Sequence, residues 1–350
     1  MRSRLGLTLL VVATCACRVS PDAPPDALPP DAAPLFDAPD GTGCTVTTPR
    51  LVDPEVFVGP TGLEDRLVAL IDSAQHSLAL QMYLFDDTVL RDHIIEAHDR
   101  GVAVRVLLDP QERANLAIKS MFLAHGLEAR DTPAVYTYSH AKYLVIDSAE
   151  AVIMSMNFNT GAMTSERNYG FIDRDPEDVA DVVRIFTMDW ALAGDTGPRP
   201  ANLACTRLLV SPVNSMSRVL DLIKSAQHTL DVEAMYVNQT GVRIAIVQAA
   251  QRGVAVRVIL ETPNEQAGND AAAAYFASVG VPSKYATDAQ FFLHAKLVLA
   301  DGVAFIGSEN YSDTSLTANR EVGALVFEPA AAAIAQTQFD ADWAATASAP

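Results

Sequence analysis

An α/β fold made of two copies of one domain is what this chain of 350 residues predicts. Two observations carry the prediction: long stretches recur in the same order, and within each copy helix-period apolar patterns alternate with short β-rich runs. LEDRLVALIDSAQHSLALQMY, from Leu63, returns as SRVLDLIKSAQHTLDVEAMY, from Ser217. RGVAVRVLLD, from Arg100, returns as RGVAVRVILE, from Arg252. SHAKYLVIDSAEAVIMSMN, from Ser139 to Asn157, returns as LHAKLVLADGVAFIGSEN, from Leu293 to Asn310. The copies are placed at about 44–200 and 201–350, each long enough to bury a core of its own.

The elements follow in order. Leu63, Leu67, Leu70, Ile71 and Ala74 fall on one helical stripe, as do Met216, Val219, Leu220 and Ile223 in the second copy. SLALQMYLF and VAVRVLL are apolar runs of strand length, and DTVLRDHIIEAHDR supplies an amphipathic helix between them. Helix-strand-helix-strand order implies layers of helix on sheet. The histidine stretches read as hairpins: AKYLVID and AVIMSM flank a turn at Ser148-Ala149-Glu150, and AKLVLAD and VAFIGS flank Asp301-Gly302. Asp147 to Ser155 is one residue longer than Asp301 to Ser308. The extra residue is placed in the turn, leaving the strand register alone.

Ahead of the first copy, Arg2 and Arg4 precede an apolar run from Leu5 to Val12 and then small residues. This is an export signal over residues 1–17, too short for a membrane span. Thr14-Cys15-Ala16-Cys17 resembles a bacterial lipoprotein cleavage site, with Cys17 as the lipid anchor; Thr14 departs from the usual Leu, which leaves ordinary signal cleavage open. Residues 18–43, dominated by SPDAPPDALPPDAAPLFDAPDG, have little to bury and read as a solvated tether. The expected location is therefore outside the cytoplasm: a membrane-anchored lipoprotein, periplasmic or at the outer membrane or cell surface, and otherwise a secreted protein. Cys44 and Cys205 stand at the openings of the two copies; a disulfide between them and two separate small hydrophobes are both open. The net charge of −18 lacks the basic footprint of a nucleic-acid binder, so nucleic acid is not the expected partner.

The chemistry lies in the hairpins. Residues two apart on a strand share a face, so His140 and Lys142 point together, as do His294 and Lys296; Ser155/Asn157 and Ser308/Asn310 repeat the pattern on the return strands. A fixed cation with neutral donors suits a phosphate diester, and imidazole is the side chain best able to attack or deliver a proton near neutral pH. Displacement at phosphorus has two jobs on opposite sides, attack and leaving-group protonation. A pseudo-twofold pairing of the copies would set the two histidines across one phosphate, with Lys142, Lys296, Asn157 and Asn310 stabilising its oxygens and Ser155 and Ser308 counted with the asparagines as phosphate-binding. No cofactor is called for, and no His or Cys pair has zinc-type spacing. His76 and His228 are also repeat-equivalent, in SAQH, but lack the Lys two residues on and are assigned to capping or packing. His93, His98 and His125 have no such company either.

H-x-K-x4-D followed by G-S-x-N, present twice, resembles the phospholipase D superfamily over nearly the whole globular part. His294, Lys296, Asp301, Gly307, Ser308 and Asn310 fit the second motif in full, followed by Asn319 and Glu321 in NREVG. His140, Lys142, Asp147, Ser155 and Asn157 fit the first. The resemblance implies two domains, each a mixed sheet flanked by helices, packed as a pseudo-twofold pair and sharing one site. It further implies a metal-independent reaction through a phosphohistidine, with His140 as nucleophile, His294 as general acid, and water or an alcohol as acceptor. Asp147 and Asp301 are counted with the catalytic set as hydrogen-bonding supports, and Glu166, Asn168, Asn319 and Glu321 as supporting residues.

Two departures lie in the first copy. Met154 stands where Gly precedes the Ser, with bulk that would crowd a substrate, and ERNYG puts Glu166 and Asn168 in the reverse of the N-x-E order. The expected substrate is a phospholipid at a membrane surface, acted on by a monomer. An exported endonuclease of the same superfamily, or a binding protein with a degenerate site, are the alternatives.

Overall fold

A computed structural model describes Thr47 and residues 50–194, 203, 206–286 and 291–349. The signal, the tether, Cys17, Cys44 and Cys205 lie outside the described residues.

The first copy runs β1 (Glu55–Gly59), α1 (Leu63–Ser73), β2 (Ser77–Met82), α2 (Thr88–Asp99), β3 (Ala103–Leu108), α3 (Arg113–Ala124), β4 (Glu128–Asp131), β5 (Tyr143–Ile146), β6 (Glu150–Met154), α4 (Thr160–Thr164), β7 (Glu166–Asp173) and α5 (Pro176–Ala193). The second runs β8 (Leu208–Ser211), α6 (Ser215–Ser225), β9 (Thr229–Ala234), α7 (Thr240–Gln251), β10 (Ala255–Leu260), α8 (Asn269–Ser278), β11 (Ser283–Tyr285), β12 (Phe292–Leu293), β13 (Lys296–Ala300), β14 (Val303–Gly307), α9 (Asp313–Thr317), β15 (Glu321–Val326), α10 (Pro329–Ala345) and β16 (Ala347–Ser348). Strand order is β1-β7-β6-β5-β2-β3-β4 in one sheet and β16-β11-β10-β9-β13-β14-β15-β8 in the other. Both sheets are mixed: β2, β3 and β4 run parallel, while β5, β6 and β7 form an antiparallel meander beside them.

The predicted stripes are the buried faces. Leu63, Leu67, Leu70, Ile71 and Ala74 pack against Leu78, Leu80 and Met82 on the outer side of the first sheet, and Val219 and Ile223 do the same against Leu230 and Val232 in the second. A third core joins the copies. Tyr143, Ile153, Phe171 and Phe186 from one meet Leu297, Ile306, Val322 and Phe339 from the other, so α5 and α10 sit in a shared middle layer. Burying apolar side chains here, at roughly 1.5–3 kcal/mol each, stabilises docking and folding together.

The hairpin register agrees with the sequence reading. Ile146 pairs with Glu150 across three turn residues, and Ala300 pairs with Val303 across two. In the longer turn Asp147 and Ser148 take positive φ; in the shorter one Asp301 and Gly302 do, as a two-residue hairpin turn requires. The extra residue is absorbed before the strands begin to pair.

Candidate active site

The histidine segments cross between the copies. Ser139 bridges in parallel to Arg320, and the His140 amide donates to the Arg320 carbonyl at 2.8 Å. Reciprocally, β12 pairs in parallel with Glu166–Arg167 of β7, and the His294 amide donates to the Arg167 carbonyl at 3.1 Å. Each copy thus lends its histidine segment to the edge of the other copy's N-x-E-like strand. His140 and Lys142 lie just ahead of β5 rather than on it, and His294 just ahead of β13, because their backbones are turned toward the opposite sheet.

This exchange explains the partners. His140 Nδ1 lies 2.8 Å from Glu321 Oε2, a carboxylate of the other copy. His294 Nδ1 lies 3.0 Å from Asn168 Oδ1, again from the other copy, with Glu166 Oε2 at 3.8 Å. Glu321 accepts from Ser308 Oγ at 2.7 Å, Ser315 Oγ at 2.7 Å and Asn319 Nδ2 at 3.0 Å. Asn168 accepts from Ser155 Oγ at 2.7 Å and donates to Glu166 Oε2 at 3.1 Å. The Ser155 and Ser308 hydroxyls are therefore committed to orienting these groups, which corrects their expected place on a phosphate. Asn157 and Asn310, in contrast, have amide oxygens that are buried without a partner among the described residues.

Lys142 and Lys296 are buried, and each Nζ donates to the carbonyl of the histidine two residues earlier. Burial lowers both: Lys142 falls well below the ordinary lysine value, and Lys296 comes down to about 7 despite the attraction of Glu321 and Glu166. Burial also lowers His140, opposed by Glu321. His294 is pushed well below the usual histidine value by burial and then by the charges of Lys296, Lys142 and His140. Glu321 stays low although buried, because His140 and Lys142 stabilise its charge. The two copies' cations converge on one spot, which can hold an anion and deliver or accept protons beside it. Tyr83 lines it, its ring 4.6 Å from that of His140 and 4.9 Å from Lys142 Nζ, and Phe292 stacks near His294.

Asp147 and Asp301 are elsewhere. Asp147 accepts from the backbone amides of Gln75, His76 and Ser77 at 2.7–2.9 Å, and Asp301 from those of Gln227, His228 and Thr229 at 2.6–3.0 Å. They sit at the far end of the hairpin strand, about 20 Å from the histidines at ~3.3 Å per residue. They fasten a turn to the loop before β2 and β9, so they do not belong to the site. His76 and His228 contribute only their backbones to this clasp, and their side chains are exposed.

Met154 does not crowd the site either. It is buried in the outer core with Phe57, Leu63 and Phe158. A Cβ on its counterpart Gly307 would lie 2.5 Å from Glu309 Oε2. The room that Met154 uses in the first copy is taken in the second by the Gly323 backbone, which such a Cβ would meet first, and by the Glu309 carboxyl, whose own counterpart is Met156.

Several residues of this assembly were not singled out from the sequence. Asp109 accepts from the Ser139 amide at 2.6 Å, and Glu261 accepts from the Leu293 amide, holding the residue before each histidine. Their signal was present, since they are the acidic ends of RGVAVRVLLD and RGVAVRVILE. Arg320 pairs with Asp189 of α5, and Arg167 with Asp342 of α10, each across the copies. The middle Arg of ERN and NRE and the Asp-Trp of both last helices were the repeat signal for these.

The duplicated α/β domain with its paired His-x-Lys segments is matched in the comparisons by a profile that itself occurs twice. The profile of the "Cardiolipin synthase, PLD-like domain" family matches residues 67–190 and again 219–343. The chain belongs to this PLD-like family, a family of phosphodiesterases and phospholipid-modifying enzymes. It is 33% identical to the phospholipase D of Rickettsia conorii over 109 residues, 30% of this chain and 53% of that one. It is 31% identical to the mitochondrial cardiolipin hydrolase of Chlamydomonas reinhardtii over 133 residues, 37% and 57% of the two chains. A probable cardiolipin synthase of Bacillus subtilis is 22% identical over 307 residues, 77% of this chain and 61% of that one. The chain spans about half the length of the curated phospholipases D it matches. Among solved structures, the phosphatidylserine synthase of Haemophilus influenzae superposes with a TM-score of 0.63 at 15% identity, covering 82% of this chain and 84% of its own. The polyphosphate kinase of Porphyromonas gingivalis gives 0.64 at 17% identity, covering 89% and 52%. At such identities the structures speak for the fold alone.

Proposed function

We propose that the protein is a metal-independent phosphodiesterase of phospholipids, which moves the phosphatidyl group through a phosphohistidine to water or an alcohol. The observation that carries this reading is the crossed pairing at the interface: His140 on Glu321 and His294 on Asn168, with Lys142 and Lys296 between them. His140 gives its Nδ1 proton to Glu321 in a hydrogen bond, leaving the Nε2 lone pair free to attack phosphorus. The N–P bond forms as the bond from phosphorus to the departing alcohol breaks, and His294 protonates that oxygen. Water or a second alcohol then attacks phosphorus and passes its proton to His294; the N–P bond breaks and His140 is restored. Lys142, Lys296 and the amides of Asn157 and Asn310 stabilise charge on the non-bridging oxygens.

Lipid is favoured over nucleic acid by the acidic chain, by the names of the relatives, and by the partly exposed Tyr138, which packs on the Tyr83 ring beside the first histidine. A place outside the cytoplasm, held by the Cys17 anchor and the tether, and a monomeric state, belong to the same proposal. Among the described residues no helix is long and apolar enough to cross a membrane.

The test incubates the full-length chain with phosphatidylcholine, phosphatidylglycerol, a primary alcohol and a chelator. The expected result is phosphatidyl-alcohol and phosphatidic acid, lost in His140→Ala and in His294→Ala. Glu321→Gln should retain the fold and lose about 10²–10⁴ in rate, as when a buried carboxylate behind a catalytic histidine is neutralised. Cleavage of single-stranded DNA in place of lipid would move the reading to an endonuclease, and no turnover of either to a degenerate site.

A further inference from the structure

The two halves of the site are not equivalent at the atom that matters most, the Nδ1 partner of each histidine. Glu166-Arg167-Asn168 and Asn319-Arg320-Glu321 are structural counterparts with acid and amide exchanged. In both, the amide Nδ2 donates to the carboxylate, at 3.1 Å and 3.0 Å. Position 321 puts a carboxylate 2.8 Å from His140, whereas position 168 puts an amide oxygen 3.0 Å from His294 and sets the Glu166 carboxylate behind it at 3.8 Å.

We propose that Asn168 is a positioning residue that fixes the direction of the reaction across the site: by giving His294 a neutral partner it makes that imidazolium the stronger acid, while Glu321 keeps His140 as the nucleophile. This rests on the reading above and adds the residue that assigns the roles. A carboxylate accepting from Nδ1 stabilises the imidazolium with a charge-assisted bond about twice as strong as a neutral one. An amide oxygen orients the ring equally well, with Nε2 facing the substrate, yet brings no opposite charge and so stabilises the imidazolium less. That oxygen also accepts from Ser155 Oγ, as Glu321 Oε2 does from Ser308 Oγ, so the two partners differ in charge and not in how they are shared.

The cations facing His294 act in the same sense. Lys296 from β13, with Lys142 and His140 from the crossing segment of the first copy, all repel a proton on it. Glu166, from β7, is the acidic group on the other side; it hydrogen-bonds Asn168, and burial pushes it above the ordinary carboxylate value. A strong acid suits the first step, in which a proton goes to a poor leaving alcohol. The nucleophile needs what Glu321 provides, a held Nδ1 proton and a counter-charge for the phosphohistidine.

Asn168→Asp is nearly isosteric and places a carboxylate on His294. Two readouts are made on the full-length chain. Histidine side-chain NMR titration should find His294 titrating below His140, and Asn168→Asp should raise His294 by about 1–3 pH units, the effect of one close opposite charge. Kinetics compare a phospholipid with a p-nitrophenyl phosphodiester, whose leaving group needs no proton. His294→Ala should lose the phospholipid reaction while keeping, within about tenfold, the first-turnover burst of p-nitrophenolate, whose departure needs no general acid, although the later hydrolysis, which uses His294 as base, slows; His140→Ala should lose both. The rate on phospholipid falls as pH rises through the His294 value, so Asn168→Asp should carry that limb to higher pH on phospholipid alone.

Retention of the p-nitrophenolate burst by His140→Ala instead of His294→Ala overturns the proposal. So does a His294 titration, or a pH limb, that Asn168→Asp leaves in place. Should the wild type turn over neither diester, the functional reading falls, and the titration still decides whether Asn168 sets the two imidazoles apart.

Discussion

Replacing Arg320 by Met should be among the most damaging single changes in the protein, although Arg320 contacts no substrate in the proposed reaction. Its side chain is 1% exposed and its partner Asp189 is fully buried. The guanidinium donates to Asp189 Oδ2 and Oδ1 at 2.8 and 2.9 Å and to the Ser211 carbonyl at 2.8 Å. Without it, Asp189 keeps neutral side-chain partners, the Tyr136 hydroxyl at 3.0 Å and Gln81, and breaking a buried pair from one side costs about 3–5 kcal/mol. The counterpart Arg167 is 14% exposed, with Asp342 at 5%. Water can reach part of that pair, so Arg167→Met should cost about 1.5–3 kcal/mol, the range for hydrogen bonds to a charged group. Urea unfolding followed by two probes gives the comparison. Arg320→Met and Asp189→Leu should each be costly, and the double variant less so than the sum. There is also a pH signature. Burial raises Asp189 and Arg320 holds it down, so in Arg320→Met the aspartate rises further. A raised carboxyl loses stability as pH climbs through its folded value, so the deficit should narrow from pH 7 toward 5. Additive single costs within ~0.5 kcal/mol, or equal costs for Arg167 and Arg320, would refute this account of the interlock.

Three further outcomes follow. Glu309 is buried with Oε2 unpartnered and is pushed far above the usual carboxylate value by burial; Glu309→Met, the residue of the first copy, should raise stability by about 1–3 kcal/mol, read as the urea midpoint. Lys296 is held at about 7, below its unfolded value of ~10.4, so the unfolded chain binds more protons between those limits and stability rises with pH across them. Lys296→Met should therefore be stabilising at pH 7 and below, with the gain fading toward pH 10, while turnover falls by about 10²–10³. Asp147→Ala should lose about 1–2 kcal/mol, as for a lost backbone cap, with turnover within a few-fold of wild type where it is folded; a hundredfold loss would return Asp147 to the chemistry.

What could be read from the sequence was what local repetition encodes. The copies, the stripes, the hairpins and the His-x-Lys pairs are patterns within 20 or so residues, and the structure keeps them in place. What could not be read was where a side chain goes once the copies meet. His140 and Asp147 are seven positions apart and look like one motif, yet an extended strand carries them to opposite ends of a sheet. His140 and Glu321, or Arg320 and Asp189, are more than a hundred positions apart and touch. Met154 looked like an intruder because its sequence neighbours face the site, whereas the alternation of a strand turns it to the other side, among Leu63 and Phe158.

The exchange of histidine segments also bears on how such a site can change. In a symmetric pair of identical chains, every substitution occurs twice, on both sides of the axis. Neither imidazole could then acquire a partner that the other lacked. Joining the copies into one polypeptide frees position 168 from position 321. The crossed strands keep both partners within reach of one pocket, so an acid can become an amide on one side alone. Covalent linkage here is what makes symmetry breaking possible: two equivalent imidazoles come to have different partners, and a pocket built around a twofold axis acquires two distinct sides.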